Sequence, residues 1–358
     1  MSFHEIIIAV MAGFALLGAA DRIFGNRWGL GKEFEEGILA MGSLALAMVG
    51  IVSLAPVLAQ VLKPVVVPIF GFLGADPAMF AGTILACDMG GGALALQMTE
   101  NHDAAMLGGV LNGSMLGATL VFTIPVAMGI LREQDRPAMA KGILCGIVTI
   151  PLGVLAGGIV AGFPIGMVLR NLIPIVLIAL LIALGLWRAE RAMGKGFSLF
   201  GKIVVVLVTV GLAAAIVEAL TGFVIIPGMA PISEGFAVVG TIAILLAGAF
   251  PLVFLLTRLL RTPLMAVGRK LGINDAAAAG LIASLANSIA TFGLVKDMNE
   301  RGKVINIAFS VSAAFVFGDH LGFTAGFAPE MIGPMIIGKL VGGISAVAAA
   351  MWLTRKEA

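Results

Sequence analysis

Tyrosine is absent from this chain, histidine occurs three times, cysteine twice and tryptophan three times. Charge is scarce as well: Asp, Glu, Lys and Arg together make up 12% of the residues, about half the share of a soluble domain. Each shortage excludes something. Cys87 and Cys145 both fall inside apolar stretches and have no disulfide or zinc-ligand spacing around them. His4, His102 and His320 are too scattered along the chain to suggest a metal site. There is no Walker-type lysine, and Gly90-Gly91-Gly92 lacks the strand-turn-helix context of a phosphate loop, so no ATPase engine is expected. No basic run interleaved with aromatics points to nucleic acid. The sequence therefore predicts neither an enzyme nor a protein with a cofactor or metal.

Hydrophobic residues, by contrast, reach 60%, and glycine occurs 48 times. A water-soluble fold could not cover itself with so little polar surface. Apolar segments recur at 5–20, 37–62, 78–98, 104–131, 142–162, 172–187, 203–220, 236–257, 275–295, 304–328 and 331–353. Only helices and closed barrels satisfy their backbone in lipid, and runs this long and apolar are not the alternating strands of a barrel. The expected fold is an all-α polytopic membrane protein that carries a small polar solute. Segment 5–20 has an acidic flank and no basic leader, so it reads as a span rather than a cleaved signal. Shorter proline-bearing pieces at 64–75 and 262–272 read as separate interfacial segments.

Shifted by 198 residues, the chain matches itself: Gly13 meets Gly211, Leu54 meets Leu252, Ser114 meets Ser312 and Lys141 meets Lys339. Ala81, Gly82 and Ile84 likewise meet Ala279, Gly280 and Ile282. This predicts two structural repeats, 1–162 and 199–358, joined by a connecting helix and cytoplasmic loop at 163–198. If all eleven segments span, basic residues split 12 to 9 between the two faces, which fits the positive-inside rule poorly. If 78–98 and 275–295 instead enter and leave by one face, 19 of the 22 basic residues share a side. Arg261, Arg269 and Lys356 belong to that majority, and only Lys63, Arg170 and a snorkelling Lys339 lie opposite. The layout is then nine full spans with two opposed re-entrant hairpins, inverted repeats, an outside N-terminus and a cytoplasmic C-terminus. Trp187 and Trp352 would anchor at the cytoplasmic interface. The alternative is eleven spans, with 78–98 an ordinary glycine-rich helix.

Charged groups at membrane depth are functional candidates by default. Asp88 sits at the middle of the first hairpin, and Asp319-His320 lies inside 304–328. A carboxylate there can hold a cation, and an imidazole can accept a hydroxyl or a proton, so Asp319 and His320 are also candidates for proton coupling. Helix capping or a structural hydrogen-bond network is the competing reading for each. Asn112 and Ser114 in 104–131, and Asn287 and Ser288 in the second hairpin, complete the predicted binding set, because an amide in lipid needs partners.

The same stretches resemble the EutH family of ethanolamine-utilisation membrane proteins. The resemblance is carried by Phe34-Glu35-Glu36-Gly37, Met79-Phe80-Ala81-Gly82-Thr83, Ala86-Cys87-Asp88-Met89-Gly90-Gly91, Gly146-Ile147-Val148-Thr149-Ile150-Pro151, Arg301-Gly302-Lys303-Val304-Ile305-Asn306 and Gly318-Asp319-His320-Leu321-Gly322-Phe323. It covers nearly the whole chain, with shorter loops at 21–33 and 221–235. The resemblance implies a carrier or facilitator for ethanolamine in a bacterial inner membrane. The opposed-hairpin layout is similar to elevator-type secondary carriers, whose stationary scaffold often forms a homo-oligomer. Segments 5–20, 37–62, 203–220 and 236–257 are the expected scaffold. The substrate is expected near the bilayer midplane, between the hairpin tips and broken helices at 104–131 and 304–328. A passive channel for ethanolamine or another small polar amine is the alternative.

Overall fold

The structure, a computed structural model, describes residues 3–355. Lys356, counted above among the basic residues, lies outside the described residues, as do the side chains of Arg261 and Arg269. Among the described residues there are helices and no strands. Eight helices are long and apolar enough to cross a membrane. These are α1 (Phe3–Ile23), α2 (Leu30–Phe72), α5 (His102–Ile130), α6 (Arg136–Val160), α7 (Ile165–Ala189), α8 (Arg191–Thr221), α9 (Ile232–Lys270) and α14 (Ile332–Leu353).

The remaining three apolar segments are each split into two short helices. Segment 78–98 becomes α3 (Ala78–Ile84) and α4 (Gly91–Met98), separated by a short 3₁₀ turn at Cys87–Met89. Segment 275–295 becomes α10 (Asp275–Ala286) and α11 (Ser288–Leu294). Segment 304–328 becomes α12 (Glu300–Ala313) and α13 (Asp319–Phe327). Within each of the first two pairs the halves pack on one another.

The breaks follow from local chemistry. Gly90 takes φ 90°, a left-handed conformation that suits glycine, and a β-carbon there would collide with Ile51. Asn287 is extended, with φ −157° and ψ 127°, and caps α11 by accepting from the Ile289 N–H at 2.8 Å. The third break is held from outside. Phe315 N–H donates to the Ser284 carbonyl at 3.0 Å and Phe317 N–H to Leu285 at 2.9 Å, so the end of α10 satisfies the backbone that α12 releases.

Three expectations need correction. Segments 64–75 and 262–272 are not separate interfacial pieces, because α2 and α9 run through them without interruption. Pro64, Pro68 and Pro263 lie inside these helices, where a fixed φ near −65° is compatible with helical backbone. The cytoplasmic loop expected between the connecting helix and residue 198 is helical instead: one helix continues from α7 into α8 across a kink at Ala189, at φ −144° and ψ 46°. The segment 104–131 is not broken. It stays helical and widens into π-turns over Met106–Gly117 and Thr119–Thr123, the glycine-rich stretch absorbing the irregular winding.

The helices pack as two sets that also meet each other, where α10 and α13 lie on α9 and α4 lies on α2. Helices α1, α2 and α9 contact one another, and α2 also contacts α8, with Gly50 and Gly211 at the crossing. The other group joins α3 and α4 to α5, α6 to α12 and α14, and α10 to α12. The α6–α14 seam is close enough to need glycine: a β-carbon on Gly153 would stand 2.7 Å from the Gly338 carbonyl and 3.2 Å from Gly342. Such approaches are how helices associate where no hydrophobic driving force separates protein from lipid. Large apolar side chains such as Leu16, Leu46, Leu181 and Ile244 are exposed on the outer faces, as lipid contact requires.

Candidate functional site

The breaks set the site. Asp88 sits in the 3₁₀ turn just ahead of α4, and Asp319 opens α13 with His320 beside it. Carboxylates at helix starts face the positive end of the backbone dipole, which steadies them there. Ahead of α13, Phe315 is held at φ 63°, a conformation that a bulky residue adopts only under surrounding constraint. That constraint is the pair of hydrogen bonds to α10 described above. It turns Phe315 against His320, ring centroids 5.2 Å apart, and Phe122 of α5 meets Phe315 edge-on at 5.5 Å.

Asp88, Asp319 and His320 line one cavity of about 780 Å³, together with Phe122 and Phe315. Its opposite wall is Ser43, Leu44 and Ala47 of α2 and residues 198–206 of α8, including Ser198 and Lys202. The cavity thus lies on the seam between the two helix groups. Asp88 Oδ1 is 3.7 Å from His320 Nε2, beyond hydrogen-bond reach, and His320 Nδ1 is buried without a partner. Asp319 also borders a second cavity of about 350 Å³, lined by Glu33, Glu36, Asn287 and Phe317.

The predicted residues therefore separate. Asp88, Asp319 and His320 come together on the large cavity, and Asn287 lines the smaller one with Asp319. Asn112 and Ser114 line neither cavity. Asn112 is fully buried and donates to Thr83 Oγ1 at 3.1 Å, bracing α5 against α3. Ser114 Oγ donates to the Leu111 carbonyl at 3.0 Å within its own helix. Ser288 is buried at the start of α11 with its hydroxyl unpartnered.

Lys339 corrects the sequence reading. It does not snorkel to the outer headgroups: it is 1% exposed, and its Nζ donates to the Ser114 carbonyl at 2.5 Å. The ammonium stays inside because α5 offers it a carbonyl acceptor, and it lies within electrostatic range of Asp88. A lone lysine inside an otherwise uncharged apolar helix was the available signal. Phe122 and Phe315 were also missed, since nothing in a phenylalanine-containing apolar run distinguishes a cavity wall from core.

Chemically, the cavity offers two carboxylates to neutralise a cation, an imidazole free of other hydrogen bonds, and aromatic faces able to add a weak cation–π contact. Its volume falls in the range of small-molecule sites. Fold and site together define a multi-pass membrane protein built around an internal, acidic, aromatic-walled cavity at helix breaks.

The chain belongs to the EutH family: the family model described as "Ethanolamine utilisation protein, EutH" matches residues 3–353. It is 59% identical over 356 residues to the probable ethanolamine permease EutH of Listeria monocytogenes serotype 1/2a (strain 10403S), covering 99% of this chain and 95% of the relative. It is 52% identical over 354 residues to the uncharacterized protein YxeR of Bacillus subtilis (strain 168), covering 99% and 96%. The probable ethanolamine permease EutH of Escherichia coli (strain K12) is 48% identical over 395 residues, covering all of this chain and 97% of the relative. No solved structure matches.

Proposed function

We propose that this protein transports ethanolamine, as its ammonium cation, across a bacterial inner membrane. The observation that carries the reading is the pairing of Asp88 and Asp319 on one cavity at helix breaks. Ethanolammonium has a single charge and a single hydroxyl. Asp88 and Asp319 neutralise the ammonium, and His320 accepts the hydroxyl, with Phe122 and Phe315 against the ethylene carbons. Asn287 receives the cation beyond Asp319, while Asn112 holds α5 against α3 and the Ser114 and Ser288 hydroxyls stay off the cavity. Asp319 and His320 also provide a route for a coupled proton. The names of the Listeria and Escherichia relatives support the choice of substrate.

The mechanism we favour is a secondary carrier of the elevator type, and the cavity's position between two helix groups supports it. The group of α1, α2, α8 and α9 is the stationary scaffold and the place for homo-oligomer contacts. The break-bearing group moves with the substrate. In this reading 1–162 and 199–358 are inverted repeats joined by 163–198, and the paired helices α3–α4 and α10–α11 are re-entrant hairpins among nine full spans. The N-terminus lies outside and the C-terminus in the cytoplasm.

Radiolabelled ethanolamine uptake in proteoliposomes tests the proposal. Asp88→Asn and Asp319→Asn should each abolish saturable uptake at unchanged protein level. Normal uptake by both variants refutes the site. Transient uphill exchange in a counterflow assay is expected of a carrier, and its absence with non-saturating flux would indicate a channel instead.

A further inference from the structure

Behind the cavity wall lies a thiol, Cys87, that cation transport does not use, beside two groups, Asp88 and His320, that face the cavity. Cys87 Sγ, an Asp88 carboxylate oxygen and a His320 ring nitrogen all lie within 4.8 Å of one another. Cys87 is fully buried, His320 is nearly so, and Asp88 is partly open to the cavity. Cys87 is a free thiol, and neither nitrogen of His320 is held by a hydrogen bond.

We propose that Cys87, Asp88 and His320 bind one divalent cation of the zinc class, and that this cation blocks the cavity. Zinc bonds to sulfur, nitrogen and oxygen are about 2.0–2.3 Å long, so neighbouring donors of a tetrahedron stand about 3.3–3.8 Å apart. The Asp88–His320 pair stands at 3.7 Å, a few tenths of an ångström wider than an oxygen–nitrogen edge of about 3.3–3.5 Å, a gap that small side-chain rotations close. The thiol closes the remaining distance by rotation about its Cα–Cβ bond. Three protein donors leave a fourth position, and the carboxylate's partial exposure directs it into the cavity, where water fills it. Thiolate and imidazole select zinc or cadmium over magnesium and calcium, which prefer oxygen alone. Binding releases the thiol proton, so affinity rises with pH. Because Asp88 is shared, metal and ammonium compete; this inhibitory half rests on the transport reading, whereas the metal site does not.

The test uses the purified full-length protein in detergent, stripped by chelator and titrated with Cd²⁺. One Cd²⁺ per chain and a thiolate-to-metal absorption band are expected. Cys87→Ser should lose the band and bind at least tenfold more weakly, while Cys145→Ser keeps both. His320→Gln should keep a thiolate band at reduced affinity, which provides a second variant if Cys87→Ser folds poorly. In proteoliposomes Zn²⁺ should inhibit uptake by the wild type, and Cys87→Ser should transport and resist inhibition. Absence of the band in the wild type, or an unchanged band and affinity in Cys87→Ser, overturns the site. Inhibition that persists in an active Cys87→Ser variant overturns the competition. Metal binding without any ethanolamine uptake would refute the transport reading and leave the site standing.

Discussion

The break-bearing helices are clamped at one end by a buried charge cluster, and its removal makes a quantitative test of how the site is held. Lys303 at the start of α12 donates to Asp135 Oδ1 at 2.7 Å and to Glu300 Oε1 at 2.6 Å. Arg132 holds the other Asp135 oxygen at 2.9 Å and reaches the Lys296 carbonyl at 3.0 Å, after α11. The Asp135 side chain is 1% exposed and that of Lys303 is 7% exposed, so neither is screened as a surface pair would be. At an effective dielectric constant near 20, charges 2.7 Å apart attract by about 6 kcal/mol before desolvation is counted. Removing one half of such a pair typically destabilises by about 3–5 kcal/mol, because the other charge stays buried. Here Arg132 remains for Asp135, so Lys303→Met should cost about 3 kcal/mol. The assay is a double-mutant cycle by thermal unfolding in detergent: Lys303→Met, Asp135→Asn and the pair. At about 2–4 °C per kcal/mol for chains of 150–250 residues, and less for this longer one, each single variant should lose roughly 5 °C. The double variant should lose less than the sum of the two, since it leaves no buried charge unpaired and the exposed Arg132 and Glu300 are solvated. Strictly additive losses, or a Lys303→Met protein as stable as the wild type, would refute the clamp.

Three further outcomes are expected. Gly153→Leu drives a side chain into the Gly338 carbonyl and Gly342, and should abolish monodisperse protein on size exclusion, whereas substitution at Gly13, whose surroundings are open, should be silent. Lys339→Met removes a buried cation from the neighbourhood of Asp88, so ethanolamine should bind more tightly by calorimetry; weaker binding would show that the ammonium positions the site rather than competes with the substrate. Single cysteines in a Cys87→Ser, Cys145→Ser background at the exposed Glu100 and Asp297 should be labelled from outside and inside respectively, and labelling from one face would favour eleven spans. Asp297 is preferred over Asn299, because Asn299 caps α12 through the Gly302 N–H.

How much was legible depended on which physical signal each feature leaves in one dimension. Membrane residence and helical class were forced by 60% hydrophobic residues against 12% charged. Helix breaks at 85–90 and near Asn287 were legible from glycine clustering and a capping amide, which act on their own neighbours. Asp88 and Asp319-His320 stood out because ionisable groups are rare in such runs. The continuity of α2 and α9 past their prolines was not legible, since a local pattern does not say whether a proline ends a helix or is carried inside it. The position of Lys339 was hidden for a similar reason: a lysine near a helix end snorkels or stays inside according to whether another helix supplies an acceptor, and the Ser114 carbonyl is 225 residues away in the chain.

The sequence by itself therefore determined the solvent this protein lives in, its helical class, its family and the carboxylates worth testing. These follow from composition and from local propensity. Only the tertiary structure decided which polar residues meet. Asn112 braces α5 against α3 and Ser114 Oγ bonds within its own helix, while Phe122, Phe315 and His320 wall the cavity. The sharpest case is Cys87 and His320, a residue from each half of the chain. Read along the sequence, cysteines and histidines looked too scattered for any metal, because spacing reports neighbours within an element. The fold turns α13 back against the break before α4 and sets the thiol, the Asp88 carboxylate and the imidazole within 4.8 Å, an adjacency that only packing between distant segments can create.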